Sequence, residues 1–161
     1  MKPALVWPVA GCFVPRAEWR SWLNGMLQRA VALPDEACTV PECADARRKL
    51  QGYRGGVLVE LALMHDTEIA ALNASYLCCA GPTNILSFPA SPEDAGLGVL
   101  ALGLETWRRE ARLYGQEAEE HARRLLAHGL AHLLGYDHGW AMDDCCAFLL
   151  EKFAGTSSGM A

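Results

Sequence analysis

No apolar run in this 161-residue chain approaches the ~18 residues of a membrane span, so a lipid-buried helix is not expected. No CxxC occurs among its seven cysteines, Cys12, Cys38, Cys43, Cys78, Cys79, Cys145 and Cys146. Their number is odd and two pairs are adjacent in sequence, so neither a disulfide framework nor a zinc ribbon is suggested, and reduced thiols in a cytoplasm fit best. Buried thiols behave as small hydrophobes, and both adjacent pairs are expected to pack that way. Positive charge is also short: the formal net charge of −5 argues against a protein that coats nucleic acid. A nuclease with local basic residues is still allowed. Arg47, Arg48, Lys49 and Arg54 form one cluster, and Arg108, Arg109, Arg112, Arg123 and Arg124 another, each with a solvated face as the alternative. No internal repeat and no dividing linker interrupt the chain.

What is present is globular in character, with 52% hydrophobic and 20% charged residues. The length suits one domain able to bury a core without metal or disulfide staples, so a bound metal would serve chemistry rather than folding. Val9-Ala10-Gly11-Cys12 looks like a lipoprotein cleavage box. The segment before it has one Lys and is broken by Pro3 and Pro8, so lipidation is not expected. Ala4 to Trp7 suits a short strand. Trp19, Trp22, Leu23, Met26, Leu27 and Ala30 then recur at helical spacing, predicting a helix from Pro15 to Ala32 with the tryptophans as core anchors. Leu33 to Arg54 lacks periodicity and reads as a connection or variable insertion. Val57 to Met64 is an interior strand, and Asp66 caps a helix to Ser75. Asn84 to Pro89 and Leu97 to Gly103 are further strands, followed by helices over Glu105 to Tyr114, Glu117 to Leu134 and Ala141 to Phe153. Residues 155–161 are small and polar, a tail expected to be disordered.

Three of the five histidines fall within eleven residues, His128-Gly129-Leu130-Ala131-His132-Leu133-Leu134-Gly135-Tyr136-Asp137-His138. His128 and His132 are four apart, so on a helix they share a face and can close on one ion. Gly135 can adopt the left-handed conformation that ends a helix, and the reversed chain can bring His138 back to the pair. Three protein nitrogens with a fourth position open is the pattern of catalytic zinc. Written as HxxxHxxGxxH, the spacing is that of metzincin peptidases, which carry Glu directly after the first histidine as general base. Here Gly129 stands there and cannot take a proton. The expected reason is room for a bulky substrate group, so that Gly129→Glu or Gly129→Leu would weaken turnover and leave zinc content unchanged. Asp137 can orient a ligand histidine, accept a proton or cap the turn.

The HGLAHLLGYDH run, preceded by Pro82-Thr83-Asn84-Ile85-Leu86-Ser87-Phe88-Pro89, resembles the YbeY family of bacterial rRNA maturation endoribonucleases over roughly Val57 to Phe153. The resemblance implies a single α+β domain over residues 1–154, a small mixed sheet packed with helices around a central histidine-bearing helix, zincin-like. It implies one zinc ion on His128, His132 and His138 and cleavage of single-stranded RNA in ribosome maturation. The implied partner is an rRNA precursor or ribosomal subunit in the cytoplasm, with neither DNA nor membrane. Thr83, Asn84 and Ser87 would touch substrate, their alternative being hydrogen bonds at the strand end. Two positions depart from the family pattern: Leu77 stands where it usually has Arg, and Val99 where it usually has Asp. An arginine such as Arg54 or Arg108 could stand in for the first. A catalytically impaired, zinc-holding, ribosome-associated protein is therefore the alternative, and a peptidase a more distant one.

Overall fold

The two apolar runs ending at Met64 and Gly103 lie side by side at the centre of one sheet. A computed structural model describes residues 4–6, 12–37 and 40–151. Strands β1 (Ala4–Val6), β2 (Val59–Met64), β3 (Ile85–Pro89) and β4 (Gly98–Gly103) are ordered β1-β2-β4-β3. β2 is parallel to both β1 and β4, whereas β3 is antiparallel to β4, with Ser87 opposite Leu100. Val59, Leu61, Leu100, Ala101 and Leu102 have no exposed surface, because helices cover the central strands on both faces.

The helices are α1 (Arg16–Val31), α2 (Pro41–Gln51), α3 (Asp66–Leu77), α4 (Leu104–Leu113), α5 (Ala118–Leu133) and α6 (Trp140–Leu150). Side chains alternate along β3, so Ile85 and Ser87 face α5 while Leu86 faces α3, where it packs with Ile69 and Ala101. The larger core fills the α5 side with Trp19, Leu23, Met26, Trp107, Leu126 and Leu130. Trp19 meets Trp107 edge-on at 5.3 Å, as an anchor of that core. Alanine and leucine dominate the buried positions of α5, and the helix approaches the sheet closely at Gly129.

The end of α5 is sharply defined. The Gly135 N–H donates to the His132 carbonyl at 3.0 Å and the Tyr136 N–H to that of Ala131 at 3.1 Å, the paired bonds of a Schellman turn. Gly135 has φ +94°, and a Cβ there would stand 2.6 Å from Glu42 Cβ and 2.7 Å from the Cys43 nitrogen. The glycine thus both reverses the chain and lets α2 lie across the reversal.

Several expectations change. The stretch 33–54 contains an eleven-residue helix, α2, which buries Cys43, Ala46 and Leu50. Its apolar positions are few and its charges many, so periodicity did not show it. Asp66 is the first residue of α3 rather than its cap, and its carboxylate accepts from the Thr106 N–H and hydroxyl at 3.0 and 2.9 Å. Cys145 is buried and Cys146 partly so, but Cys78 and Cys79 are exposed beyond the end of α3 and do not pack as core. Many of the basic side chains are held locally. Arg48 pairs with Asp45 at 2.6 Å, Arg124 with Glu120 at 2.6 Å, and Lys49 donates to the Ser91 carbonyl at 2.8 Å. Gly11, Cys38 and the tail 155–161 lie outside the described residues.

Gly135→Ala is expected to destabilise the fold by about 2–4 kcal/mol, the sum of left-handed strain and overpacking against α2. Chemical denaturation of the two proteins checks this.

Candidate metal centre

α5 supplies His128 and His132 one turn apart, and the Schellman turn brings His138 up beside them. The ring centroids form a triangle with sides of 4.9, 4.9 and 5.5 Å, and one nitrogen from each ring lies within 4.8 Å of the others. His128 and His132 are half-buried and His138 is exposed, so the group is walled on one side and open on the other.

The nitrogens are prepared as donors. His132 Nδ1 lies 3.0 Å from the Tyr136 carbonyl, which can only accept, so the hydrogen sits on Nδ1 and the Nε2 lone pair is left for an ion. Burial, then the neighbouring His132 and His138, hold the His128 imidazole below its ordinary value of 6.5, against an opposing pull from Asp143. A neutral ring binds a cation without first losing a proton. Asp137 is 97% exposed, lies 3.3 Å from His138 Nδ1, and accepts from the His138 N–H at 2.8 Å; that bond depresses its carboxyl. Of the roles open to Asp137, the contact with His138 fits the orienting one. Three imidazoles, one fixed in its tautomer by a backbone carbonyl, fit a metal ion.

Behind the site, Gly129 is buried against the sheet. A Cβ on it would fall 2.8 Å from Ile85 Cδ1, 2.9 Å from Leu100 Cδ2 and 3.3 Å from Ser87 Oγ. The residue faces the sheet rather than the open side of the histidines, so it does not clear space for substrate; it lets α5 approach β3 and β4. Ser87 Oγ donates to the Gly129 carbonyl at 3.2 Å across the same contact.

Asn84 is also engaged within the protein. Its amide nitrogen donates to both Glu110 oxygens at 3.2 and 3.1 Å, and its oxygen accepts from the Ile85 N–H at 2.7 Å. Glu110 in turn meets the buried His121 at 2.9 Å. Thr83 is half-buried just before β3. The signal for this cluster was present, since His121 is seven residues before His128 and so on nearly the same helix face. Tyr136 was missed as well. It is buried, and its hydroxyl donates to the Ala37 carbonyl at 2.6 Å; burial pushes it up to about 12. Arg54 donates to the Gln51 and Tyr53 carbonyls beside it, and Arg108 lies over Phe13 at 5.0 Å, so both are engaged in their own neighbourhoods.

A mixed sheet carrying a central helix with three convergent imidazoles defines an α+β domain with a site able to hold a metal ion. Within that class, the chain belongs to the Endoribonuclease YbeY family, whose sequence profile matches residues 28–148. It is similar to the Endoribonuclease YbeY of Oleidesulfovibrio alaskensis, 45% identical and spanning 64% of this chain and 75% of the relative. The one from Nitratidesulfovibrio vulgaris is 47% identical over 55% of this chain and 67% of the relative. One from Rhodopseudomonas palustris, 35% identical, spans 81% of this chain and 73% of the relative.

Gly129→Glu should fold poorly, losing at least ~3 kcal/mol through overpacking and an unpaired buried carboxylate. A lowered denaturation midpoint accompanied by lost metal binding checks this; an unchanged midpoint contradicts the packing role.

A second expectation concerns pH. The folded His128 binds its proton less tightly than the unfolded chain does. As pH falls through 6.5 toward the lower folded value, unfolding takes up a proton and the metal-free fold loses stability; above 6.5 this group contributes no change. Thermal midpoints of metal-free protein at pH 7.5 and 5.5 should show the drop, and His128→Gln should show a smaller one.

Proposed function

We propose that this chain is a zinc-dependent endoribonuclease that cuts single-stranded RNA in rRNA maturation. The observation that carries the reading is the three-imidazole site with His132 locked in one tautomer, in a member of a family of endoribonucleases. Zinc held by His128, His132 and His138 would supply a bound water ionising near pH 7 and a Lewis acid for a phosphoryl oxygen.

The chain's own residues divide the remaining work. The Tyr136 carbonyl keeps the His132 Nε2 lone pair directed at the site, and burial keeps His128 neutral near physiological pH. His138, 74% exposed, marks the side from which RNA arrives. Asn84 and Ser87 act mainly through position: their bonds to Glu110 and the Gly129 carbonyl hold β3 beside the site. Of the three residues assigned to substrate, Thr83 is the one left for direct contact. The rRNA precursor or ribosomal subunit is the proposed partner and the cytoplasm the proposed location. Among the described residues no helix is long and apolar enough to cross a membrane.

A second reading, a zinc-holding ribosome-binding protein with impaired catalysis, draws on the departures at Leu77 and Val99. Leu77 offers a 57% exposed apolar side chain where the family resemblance implies an arginine. Losing one transition-state contact can cost on the order of 100- to 1,000-fold in rate. The peptidase reading is weakened by Gly129, which is packed into the sheet and carries no base.

Single-turnover cleavage of a short unstructured RNA by zinc-loaded protein is expected to fall at least ~100-fold in His132→Ala, which loses a metal ligand. One zinc per chain with no cleavage above that variant, together with co-sedimentation with ribosomal subunits, would move the assignment to the second reading.

A further inference from the structure

Among the described residues, the largest exposed aromatic side chain is unexplained by the metal centre. Trp140, 76% exposed, is the first residue of α6 and stands two residues after His138. Its indole forms the lip of a groove of about 300 Å³ between α6 and the 33–37 segment. Leu33, Pro34, Ala37, Ala141 and Phe148 line it with apolar surface, and two exposed carboxylates, Glu36 and Asp144, complete it.

The groove is joined to the histidine site rather than merely near it in sequence. The Tyr136 hydroxyl holds the Ala37 carbonyl of one wall at 2.6 Å, and the Tyr136 backbone carbonyl orients His132. On α6, Asp143 acts electrostatically on His128 while its neighbour Asp144 lines the groove. One short loop and one helix turn therefore serve both places.

The chemistry of the lining narrows the occupant. A phosphate is repelled by Glu36 and Asp144, so the backbone of a nucleic acid stays outside. A base is neutral, presents a flat face to an indole, and can place an amino group against a carboxylate that only accepts. Cytosine offers such an amino donor where uracil offers a carbonyl acceptor. The volume is at the lower end of small-molecule sites, roughly 300–1,000 Å³, as suits a single base. We propose that this groove takes one base of the RNA strand whose backbone lies at the three histidines, with Trp140 stacking on it, and that it prefers cytosine to uracil because Asp144 or Glu36 accepts from the cytosine amino group. The inference rests on the nuclease reading for its ligand class, but its test does not depend on catalysis.

The test is fluorescence anisotropy of end-labelled cytidine and uridine hexamers titrated with the full-length, metal-free protein and its variants. Wild type is expected to bind the cytidine hexamer about 10-fold more tightly, within the ~5- to 150-fold of one base-edge discrimination. Trp140→Ala should weaken both hexamers by roughly 5- to 150-fold, the range for loss of one stacked base, and Trp140→Phe should restore most of it. Asp144→Asn combined with Glu36→Gln should bring the cytidine-to-uridine ratio close to one without weakening the uridine hexamer. Because Trp140 and both carboxylates are exposed, thermal midpoints should not move. Equal binding of the two hexamers by wild type, binding of neither, or unchanged affinity in Trp140→Ala overturns the proposal. RNA cleavage by zinc-loaded protein is measured separately. Base-selective binding without cleavage sinks the nuclease reading alone, whereas cleavage by a protein whose hexamer affinity ignores Trp140 sinks the base groove alone.

Discussion

One hydrogen bond, from His132 Nδ1 to the Tyr136 carbonyl, ties the chemistry of this protein to its chain reversal. The carbonyl is available only because α5 stops at Leu133 and the next residues turn back on themselves. The same turn delivers His138 to the other two imidazoles. It holds because Gly135 tolerates both a positive φ and the close passage of α2, and because the buried Tyr136 is fastened by its hydroxyl to Ala37. Ligand geometry, helix termination and packing of the N-terminal segment are thus one arrangement. The histidine-glycine-histidine spacing of this chain records a folding constraint as much as a chemical one.

Gly129 shows how a position can be misread when only its neighbours in sequence are known. Beside His128 it invites a functional explanation, and in a peptidase the same position holds the base. In this fold it faces Ile85 and Leu100, where anything larger than hydrogen meets side-chain carbon at under 3.0 Å. The open side of the metal site is shaped instead by the residues after the turn, His138 and the start of α6.

Much of the architecture was legible because its signals are local. The apolar runs of β2 and β4, the helical spacing of Trp19, Leu23, Met26 and Leu27, and the three-histidine cluster each need only a dozen residues to be recognised. α2 was not legible, since its three buried residues, Cys43, Ala46 and Leu50, are set among Glu42, Asp45, Arg47, Arg48 and Lys49. Cys78 and Cys79 could not be placed because burial is a property of the whole fold, not of the residue type. The commitments of Asn84 to Glu110 and of Ser87 to Gly129 span 26 and 42 residues, a range over which pattern carries no information. Polarity at a strand mouth looks the same whether it serves substrate or scaffold.

The contact between α1 and α6 has a consequence for how the chain is made. Arg29 Nε donates to the Leu149 carbonyl at 2.6 Å, across 120 residues of sequence. The parallel pairing of β1 with β2, and of β2 with β4, likewise joins segments separated by whole helices. On a translating ribosome the first helix would lack its packing against α6 until nearly the last described residue had emerged, and the centre of the sheet would close only after β4. Non-local pairing of this kind is intrinsically slow and exposes surface prone to aggregation while it waits. The nascent chain would then depend for that interval on remaining shielded near the particle that synthesises it.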